Sequence, residues 1–231
     1  MTLLALLALL ALLAWTGCNN TAGIDINAGP FGFNVDTGQI ALPTALRQGT
    51  TVARVPCRLD MQCPALGAGA PAVHCTAGQC TPDPFTFDLA LPDVIDVSSY
   101  SSQLGSFGNH LTQIDVTSLT YRATATGLTV PVGPVVLYWG PEAAISHTSD
   151  GVQQLGTLDT LHFATDGTAS GQIQTLASGS AALSSYLLHT SKRFRLFARP
   201  SVTLVPGGPL PGGHAALSVT IGLHVEGQLI Q

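Results

Sequence analysis

Apolar and polar residues alternate along many short stretches of this chain, which is the pattern of strands with one buried face. The clearest stretch runs from Leu217 to Val225, where every second residue is apolar. From Ile114 to Ala123 the same alternation holds, with one change of phase between Val116 and Leu119 that predicts a β-bulge. The pattern therefore predicts long, half-buried strands in these two places.

Shorter apolar runs between glycine and proline residues predict further strands. They cover residues 31–35, 51–55, 85–91, 128–132, 135–139, 152–163, 171–176, 193–199 and 202–204. One helix is predicted over Ser180–His189, with Ser180 as its N-cap and with Leu183, Tyr186 and Leu187 on one face. Many short strands with glycine- and proline-rich turns and a single helix predict an all-β fold. We expect an antiparallel β-sandwich of the immunoglobulin-like or Greek-key type.

The first residues depart from this alternation. From Leu3 to Ala14 the chain contains only leucine and alanine. This run is shorter than the about 20 apolar residues of a membrane-spanning helix, and it has the length of a signal-peptide core, roughly 7 to 15 residues. The chain is therefore predicted to be exported from the cytoplasm.

The end of this leader, from Trp15 to Cys18, resembles the lipobox of bacterial lipoproteins, in which a small residue directly precedes a cysteine. Trp15 stands where that family usually has leucine, and the start of the leader has no lysine or arginine. The resemblance implies that Cys18 becomes the first mature residue and carries acyl chains. Asn19 after the cysteine implies a destination in the outer membrane. An ordinary cleaved signal and an uncleaved anchor are the alternatives.

Four segments follow from these features. Residues 1–17 are the predicted signal peptide, and residues 18–30, which are small and polar, are the predicted lipidated tether. Residues 31–231 are the predicted β-sandwich domain, with a cysteine-rich insertion at residues 57–80. The whole chain is similar in pattern to lipoproteins of Gram-negative bacteria that join a cysteine module to a β-sandwich, and that likeness implies no particular activity.

Composition agrees with an extracytoplasmic β protein. Charged residues make up only 9% of the chain, well below the roughly 25% of an average soluble protein, while apolar residues reach 45%. The 25 glycines and 15 prolines supply turns. The net charge of −5 leaves no broad basic field for phosphates, so nucleic acid is not expected as a partner.

Four of the five cysteines, Cys57, Cys63, Cys75 and Cys80, are clustered with the spacing C-x5-C-x11-C-x4-C. An even cluster in an exported chain predicts two disulfides. Three pairings exist, and we favour Cys57–Cys75 with Cys63–Cys80 because crossed bonds would hold a segment that has almost no core of its own. A zinc site that also uses His74 is the alternative, although structural zinc sites favour C-x2-C pairs.

Two groups of residues are candidates for binding. Lys192, Arg193, Arg195 and Arg199 are predicted to form a basic stripe that could meet lipid phosphates, an acidic polysaccharide or a protein. A solvated strand face that discourages edge pairing is the other interpretation, and the one we favour. Tyr138 and Trp139 could stack on sugar rings, although Trp139 is more typical of a core residue because an apolar run precedes it.

Other chemical signals are weaker. Asp83, Asp88, Asp93 and Asp96 lie close together in sequence, but their spacing matches no calcium-binding loop, so turn-forming roles are favoured. Asp36-Thr37-Gly38 matches one half of an aspartic-protease pair and has no second copy, so we interpret it as a turn. No metal and no cofactor are predicted.

The hypothesis from sequence is therefore a cell-envelope lipoprotein with a non-enzymatic binding or structural role, facing the periplasm or the surface. The expected partners are the membrane, through the lipid anchor, and an envelope protein or polysaccharide. A carbohydrate-binding module that uses Tyr138 and Trp139 is one alternative. A hydrolase whose site the sequence does not reveal is the other.

Overall fold

The computed structural model of the chain describes residues 21–67, 70–102, 104–107 and 110–228. Two antiparallel sheets pack face to face within these residues, and the apolar side chains of their inner faces form one core. The antiparallel β-sandwich predicted from the alternation is confirmed. Cys18 and the predicted signal peptide lie outside the described residues.

The first sheet contains the long strands. They are β1 (Thr21–Asp36), β9 (Leu111–Thr126), β12 (Thr168–Gln172) and β15 (His214–Gln228). Their order across the sheet is β1, β15, β9, β12, and every neighbouring pair is antiparallel. Ser118 and Val116 of β9 face Gly222 and Leu223 of β15, which leaves Thr117 as an extra residue. The predicted bulge is therefore confirmed.

The second sheet is built from shorter strands. They are β6 (Phe85–Thr86), β7 (Leu89–Ala90), β8 (Ile95–Asp96), β10 (Val135–Pro141), β11 (Gln153–Leu158), β13 (Gln174–Thr175) and β14 (Arg193–Val202). Their main order is β13, β11, β10, β14, and the three short strands β6, β7 and β8 all pair with the far side of β14. This strand is therefore held on both edges.

Two hairpins and two α-helices complete the described elements. The hairpins are β2 (Arg47–Gln48) with β3 (Thr51–Val52), and β4 (Val73–Thr76) with β5 (Gln79–Pro82). The α-helices are α1 (Leu104–Phe107) and α2 (Ala177–His189). Single 3₁₀ turns cover Thr37–Gln39, Thr44–Leu46, Asp60–Gln62 and Val97–Tyr100. Helix α2 buries Leu183 and Leu187 against β9 and β11, so it closes one side of the sandwich.

Several bounds differ from the prediction: strand β11, for example, ends at Leu158 rather than at residue 163, and β3 ends at Val52 rather than at residue 55. Residues 21–30, predicted as a tether, form the first half of β1, because Ile26 and Ala28 enter the core beside β15. Residues 128–132, predicted as a strand, are irregular and cross from one sheet to the other. Helix α2 begins after Leu176 rather than at Ser180, since tertiary contacts with β11 favour the earlier start.

Disulfides hold the cysteine module, residues 57–80, whose second half contributes to the β4–β5 hairpin. Cys57 is bonded to Cys75 and Cys63 to Cys80, which is the crossed pairing that we favoured. The sulfur atoms of Cys57, Cys63 and Cys80 lie within 4.8 Å of one another because the two bonds are adjacent. Sulfurs joined in disulfides are not the thiolates that zinc requires.

Candidate functional site

The residues of the predicted basic stripe lie at the outer surface of the second sheet. Successive side chains of a strand point to opposite faces, so Arg193, Arg195 and Arg199 share the outer face of β14 while Phe194 and Leu196 enter the core. We call these three arginines and the neighbouring Tyr138 of β10 the arginine face.

Phe197 also lies on this outer face and is nevertheless only 2% exposed. The loop of residues 142–152 between β10 and β11 folds over it. Gly140 makes this cover close: a Cβ added there would lie 2.6 Å from a methyl group of Val152 and 3.1 Å from the Cβ of Ala144. The loop therefore covers Phe197, which the alternation of β14 did not predict, while the Arg193 and Arg199 side chains remain 50% and 39% exposed.

Two of the arginines bond to this loop, and one of them also bonds to the segment at Pro92. Arg195 donates from Nε to the carbonyl oxygen of Glu142 at 2.9 Å and from Nη1 to that of Pro92 at 3.2 Å. Arg193 forms an ion pair of 3.0 Å with the carboxylate of Glu142. Both guanidinium groups are thus bonded within the chain, and their donors are directed at protein atoms.

Asp88 is the centre of a second set of contacts on the arginine face. Its Oδ1 lies 3.2 Å from Nε of Arg199 and 3.3 Å from Nδ1 of His147. The His147 side chain is 14% exposed and its ring packs 5.5 Å from that of Tyr138. The Asp88 carboxylate pairs with the guanidinium of Arg199, so this end of the stripe also offers little free positive charge.

Lys192 serves a different element. Its amine donates to the carbonyl oxygens of Leu187 and Leu188, in the last turn of α2. A cation at the C-terminus of a helix is favourable because the unpaired carbonyls there carry partial negative charge. Partial burial lowers the pKa of Lys192 below its ordinary value. The four basic residues therefore connect separate elements rather than form one open stripe.

Tyr138 and Trp139 point to opposite faces of the second sheet, because they are successive residues of strand β10. Tyr138 lies on the outer face beside His147, whereas Trp139 points into the core and is 3% exposed. The indole N–H of Trp139 donates to the carbonyl oxygen of Gly179 in α2 at 3.0 Å. A sugar ring has no access to Trp139, so the two aromatics do not form one stacking platform.

The four clustered aspartates are also distributed among separate roles. Asp83 lies 3.3 Å from His74, Asp88 bonds to Arg199 and His147, and Asp96 accepts from the backbone N–H of Ser98 as the cap of a 3₁₀ turn. Asp93 lines a small cleft of about 310 Å³ with Phe31 and Tyr100. The structure does not bring the four carboxylates to one point.

His74 lies between two carboxylates, an arrangement that sequence spacing did not reveal. His74 of β4 has Asp60 at 3.1 Å from one ring nitrogen and Asp83 at 3.3 Å from the other. The hydrogen bond with Asp60 is the main cause that raises the pKa of His74. The backbone N–H of Cys75, followed by His74, lowers the pKa of Asp60. This exposed contact links both ends of the cysteine module.

A similar arrangement lies on the outer face of the first sheet. Nδ1 of His224 in β15 is 2.7 Å from Asp25 of β1. Its Nε2 is 3.3 Å from Glu226, which also belongs to β15. Hydrogen bonding to Asp25, and then to Glu226, raises the pKa of His224. The signal that could have found this pair is strand register, since Asp25 and His224 are direct cross-strand neighbours.

A cleft of about 520 Å³ separates the cysteine module from the sandwich. Its lining presents polar as well as apolar surface and includes Ile40 after β1, Leu66 and Pro71 of the module, and Phe85 and Phe87 beside β14. Nearby, Asp36 accepts from the backbone N–H of Gly38 and caps the turn at Thr37–Gln39. The Asp36-Thr37-Gly38 triplet is therefore a turn, as expected.

The comparisons with known proteins give little. No protein-family model matches the chain, and no curated protein matches it. Among solved structures it is similar to Desmodium yellow mottle tymovirus, with 12% identity, 77% of this chain and 97% of that chain covered, and a TM-score of 0.27. A decameric BFDV capsid protein matches with 6% identity, 89% and 98% coverage, and a TM-score of 0.33. These TM-scores are too low to support an argument about this chain.

In the part of the chain that the structure describes, no helix combines the length and the apolar character that crossing a bilayer requires.

Proposed function

We propose that this protein is a cell-envelope lipoprotein of the outer membrane, anchored by acyl chains on Cys18, and that its β-sandwich is a non-enzymatic binding or structural module. The crossed disulfides of the cysteine module are the observation that carries the proposal. Disulfides persist in oxidising compartments outside the cytoplasm. Together with the apolar leader that ends at Cys18, they favour an exported and anchored protein.

The chemistry of the arginine face favours a structural role for these residues over the capture of anions. Arg193 and Arg195 bond to Glu142 and Pro92, and Arg199 faces Asp88. An acidic polysaccharide or a lipid phosphate would have to compete with these internal partners. An envelope protein that recognises the folded surface is therefore the partner class that we favour.

The titratable groups support a non-enzymatic role in the same way. The histidine–carboxylate pairs at His74 and His224 lie at the surface and join neighbouring strands or the ends of the module, and neither histidine lines the 520 Å³ cleft. Their geometry is that of surface links, which set local structure rather than position a reacting atom.

Mass spectrometry of the mature protein tests the anchor. The full chain is expressed from its own leader in a Gram-negative host, with and without an inhibitor of the lipoprotein signal peptidase. We expect a mature N-terminus at Cys18 with acyl chains, recovery in the outer-membrane fraction, and four oxidised cysteines at positions 57–80. Cys18→Ser is the control and should yield no acylated product. An unacylated N-terminus at another residue, or free thiols in the cysteine module, would contradict the proposal.

A further inference from the structure

The first strand is fixed to the domain from its first described residue. Thr21 pairs with Gln228 of β15, and Ile24 and Ile26 follow in register against Val225 and Leu223. Ile26 is only 3% exposed, so core packing holds this half of β1 in place. The length of chain available between an anchor at Cys18 and the folded domain is therefore limited to the residues before Thr21.

Only Asn19 and Asn20 separate Cys18 from this strand. A fully extended chain spans at most about 3.5 Å per residue, so the Cα atoms of Cys18 and Thr21 lie no more than about 10 Å apart. We propose that the end of the first sheet formed by Thr21, Leu111 and Gln228 lies against the lipid headgroup layer, so that the long strands point away from the membrane. This inference rests on the proposed lipid anchor.

The chemistry of this end suits a headgroup layer. Gln228 donates its backbone N–H to the carbonyl oxygen of His110 at 3.0 Å, and Leu111 pairs with Gly227, so the strand ends are closed by hydrogen bonds. Their side chains carry no formal carboxylate. Among the described residues, the acidic side chains of these strands nearest to this end are Asp25, Glu226 and Asp115: the first two contact His224, and Asp115 is its neighbour on β9.

The opposite end of the sheet then carries the cysteine module away from the membrane. Strand β1 has 16 residues, which correspond to about 50 Å at roughly 3.3 Å per residue. After Asp36 the chain reaches Ile40, which lines the cleft together with Leu66 and Pro71 of the module. Leu59 and Met61 of the module are 60% and 85% exposed. The anchored protein would thus present this disulfide-bonded module to partners outside the headgroup layer.

Energy transfer between a single dye and the membrane tests this orientation. Lys192 is the only lysine of the chain, so a Lys192→Arg background accepts one new lysine for labelling. Gln113→Lys, near Leu111, reports on the proposed membrane end, and Met61→Lys reports on the module. Both proteins are purified with their acyl chains, labelled with an amine-reactive donor, checked by peptide mass spectrometry, and placed in phosphatidylcholine vesicles that contain a headgroup-labelled acceptor lipid.

We expect the transfer efficiency from position 113 to be at least about twice that from position 61, because the two sites lie near opposite ends of strands about 50 Å long. A flexible Gly/Ser insertion of about 20 residues between Asn20 and Thr21, which spans roughly 25 Å on average, should bring the two efficiencies closer together. Equal efficiencies in the acylated protein without the insertion would overturn the orientation alone. A protein that is not acylated at Cys18 would overturn the anchor and the orientation together.

Discussion

Trp139 and Gly179 are joined inside the core by a hydrogen bond of 3.0 Å from the indole N–H to the backbone carbonyl oxygen. The bond connects β10 with the first turn of α2, and it gives the buried indole N–H the partner that such a group requires. Gly179 permits the approach because the backbone of β11 lies directly against it. A Cβ at this position would overlap the carbonyl oxygen of Gln154.

Gly179→Ala should therefore destabilise the protein although alanine is the better helix former. The gain in helix propensity is about 1 kcal/mol, whereas forcing a methyl group against backbone in a packed core costs about 1 to 3 kcal/mol and sometimes more. Because that Cβ would overlap a backbone atom, the carbonyl oxygen of Gln154, the cost lies at the upper end of this range, and we expect a net loss of about 2 kcal/mol in the free energy of unfolding. Urea unfolding monitored by Trp139 fluorescence measures it.

Ser185→Ala in the same helix is the matched control, because Ser185 is exposed. It should change the free energy of unfolding by no more than about 0.5 kcal/mol. An equal or greater stability of Gly179→Ala would show that α2 does not pack as closely on β11 as described here.

Arg195 and Arg193 should differ in importance although they lie two residues apart on one strand. Arg195→Met removes two charge-assisted hydrogen bonds to carbonyl oxygens, and we expect a loss of about 1.5 to 3 kcal/mol. Arg193→Met removes one ion pair whose side chains are about half exposed, and exposed pairs contribute about 0 to 1 kcal/mol. Faster proteolysis within residues 142–152 in Arg195→Met, and not in Arg193→Met, would locate the effect. Equal losses of stability in the two variants would contradict the conclusion that Arg195 holds this loop in place.

Loss of the Cys63–Cys80 disulfide should destabilise the cysteine module. The bond closes a loop with a sequence separation of 17 residues, for which the chain-entropy model gives about 3 kcal/mol. Cys63→Ala with Cys80→Ala should therefore expose Cys57–Cys75 to reduction at lower dithiothreitol concentrations than in the wild type. Thiol counting by mass spectrometry provides the measurement. Unchanged reduction of Cys57–Cys75 would show that the two bonds act independently.

Stability should depend on pH through His74 and His224. Both pKa values are raised above the ordinary value of 6.5 by neighbouring carboxylates, so the folded state binds protons more tightly than the unfolded chain. This contribution is fully present below about pH 6.5 and is lost as pH rises through the folded pKa. The free energy of unfolding should therefore fall as pH rises above about 6.5.

The variants His74→Gln and His224→Gln should each reduce this slope, and His162→Gln, at an exposed loop position, is the control. Asp60 acts in the opposite direction at acid pH. Its pKa is lowered from 3.8 by the backbone N–H of Cys75, so its contribution is present above that value and is lost as pH falls through the lowered pKa. Denaturant unfolding at fixed pH intervals tests both limbs. A slope that is identical in the three histidine variants would contradict the assignment.

The strands could be predicted from the sequence because the alternation of apolar and polar residues lies within each strand. Alternation in Leu217–Val225 and in Ile114–Ala123 located β15 and β9, and the change of phase after Val116 located the bulge. The first half of β1 was missed since Asp25 and Asn27, with Gly23 and Gly29 on either side, weaken the local preference for a strand. Pairing with β15 supplies the hydrogen bonds and the buried face that stabilise it.

The amino-acid sequence by itself determined the fold class, the cysteine cluster and the apolar leader, because periodicity, residue type and spacing act over a few residues. Only the tertiary structure decided which charges meet. Asp25 and His224 are 199 residues apart in sequence, and Arg195 is 103 residues from Pro92. Such contacts depend on strand register and on how loops cover a sheet, and a one-residue change of register would move each side chain to the opposite face. For the same reason Trp139 belongs to the core while Tyr138, its neighbour, belongs to the surface.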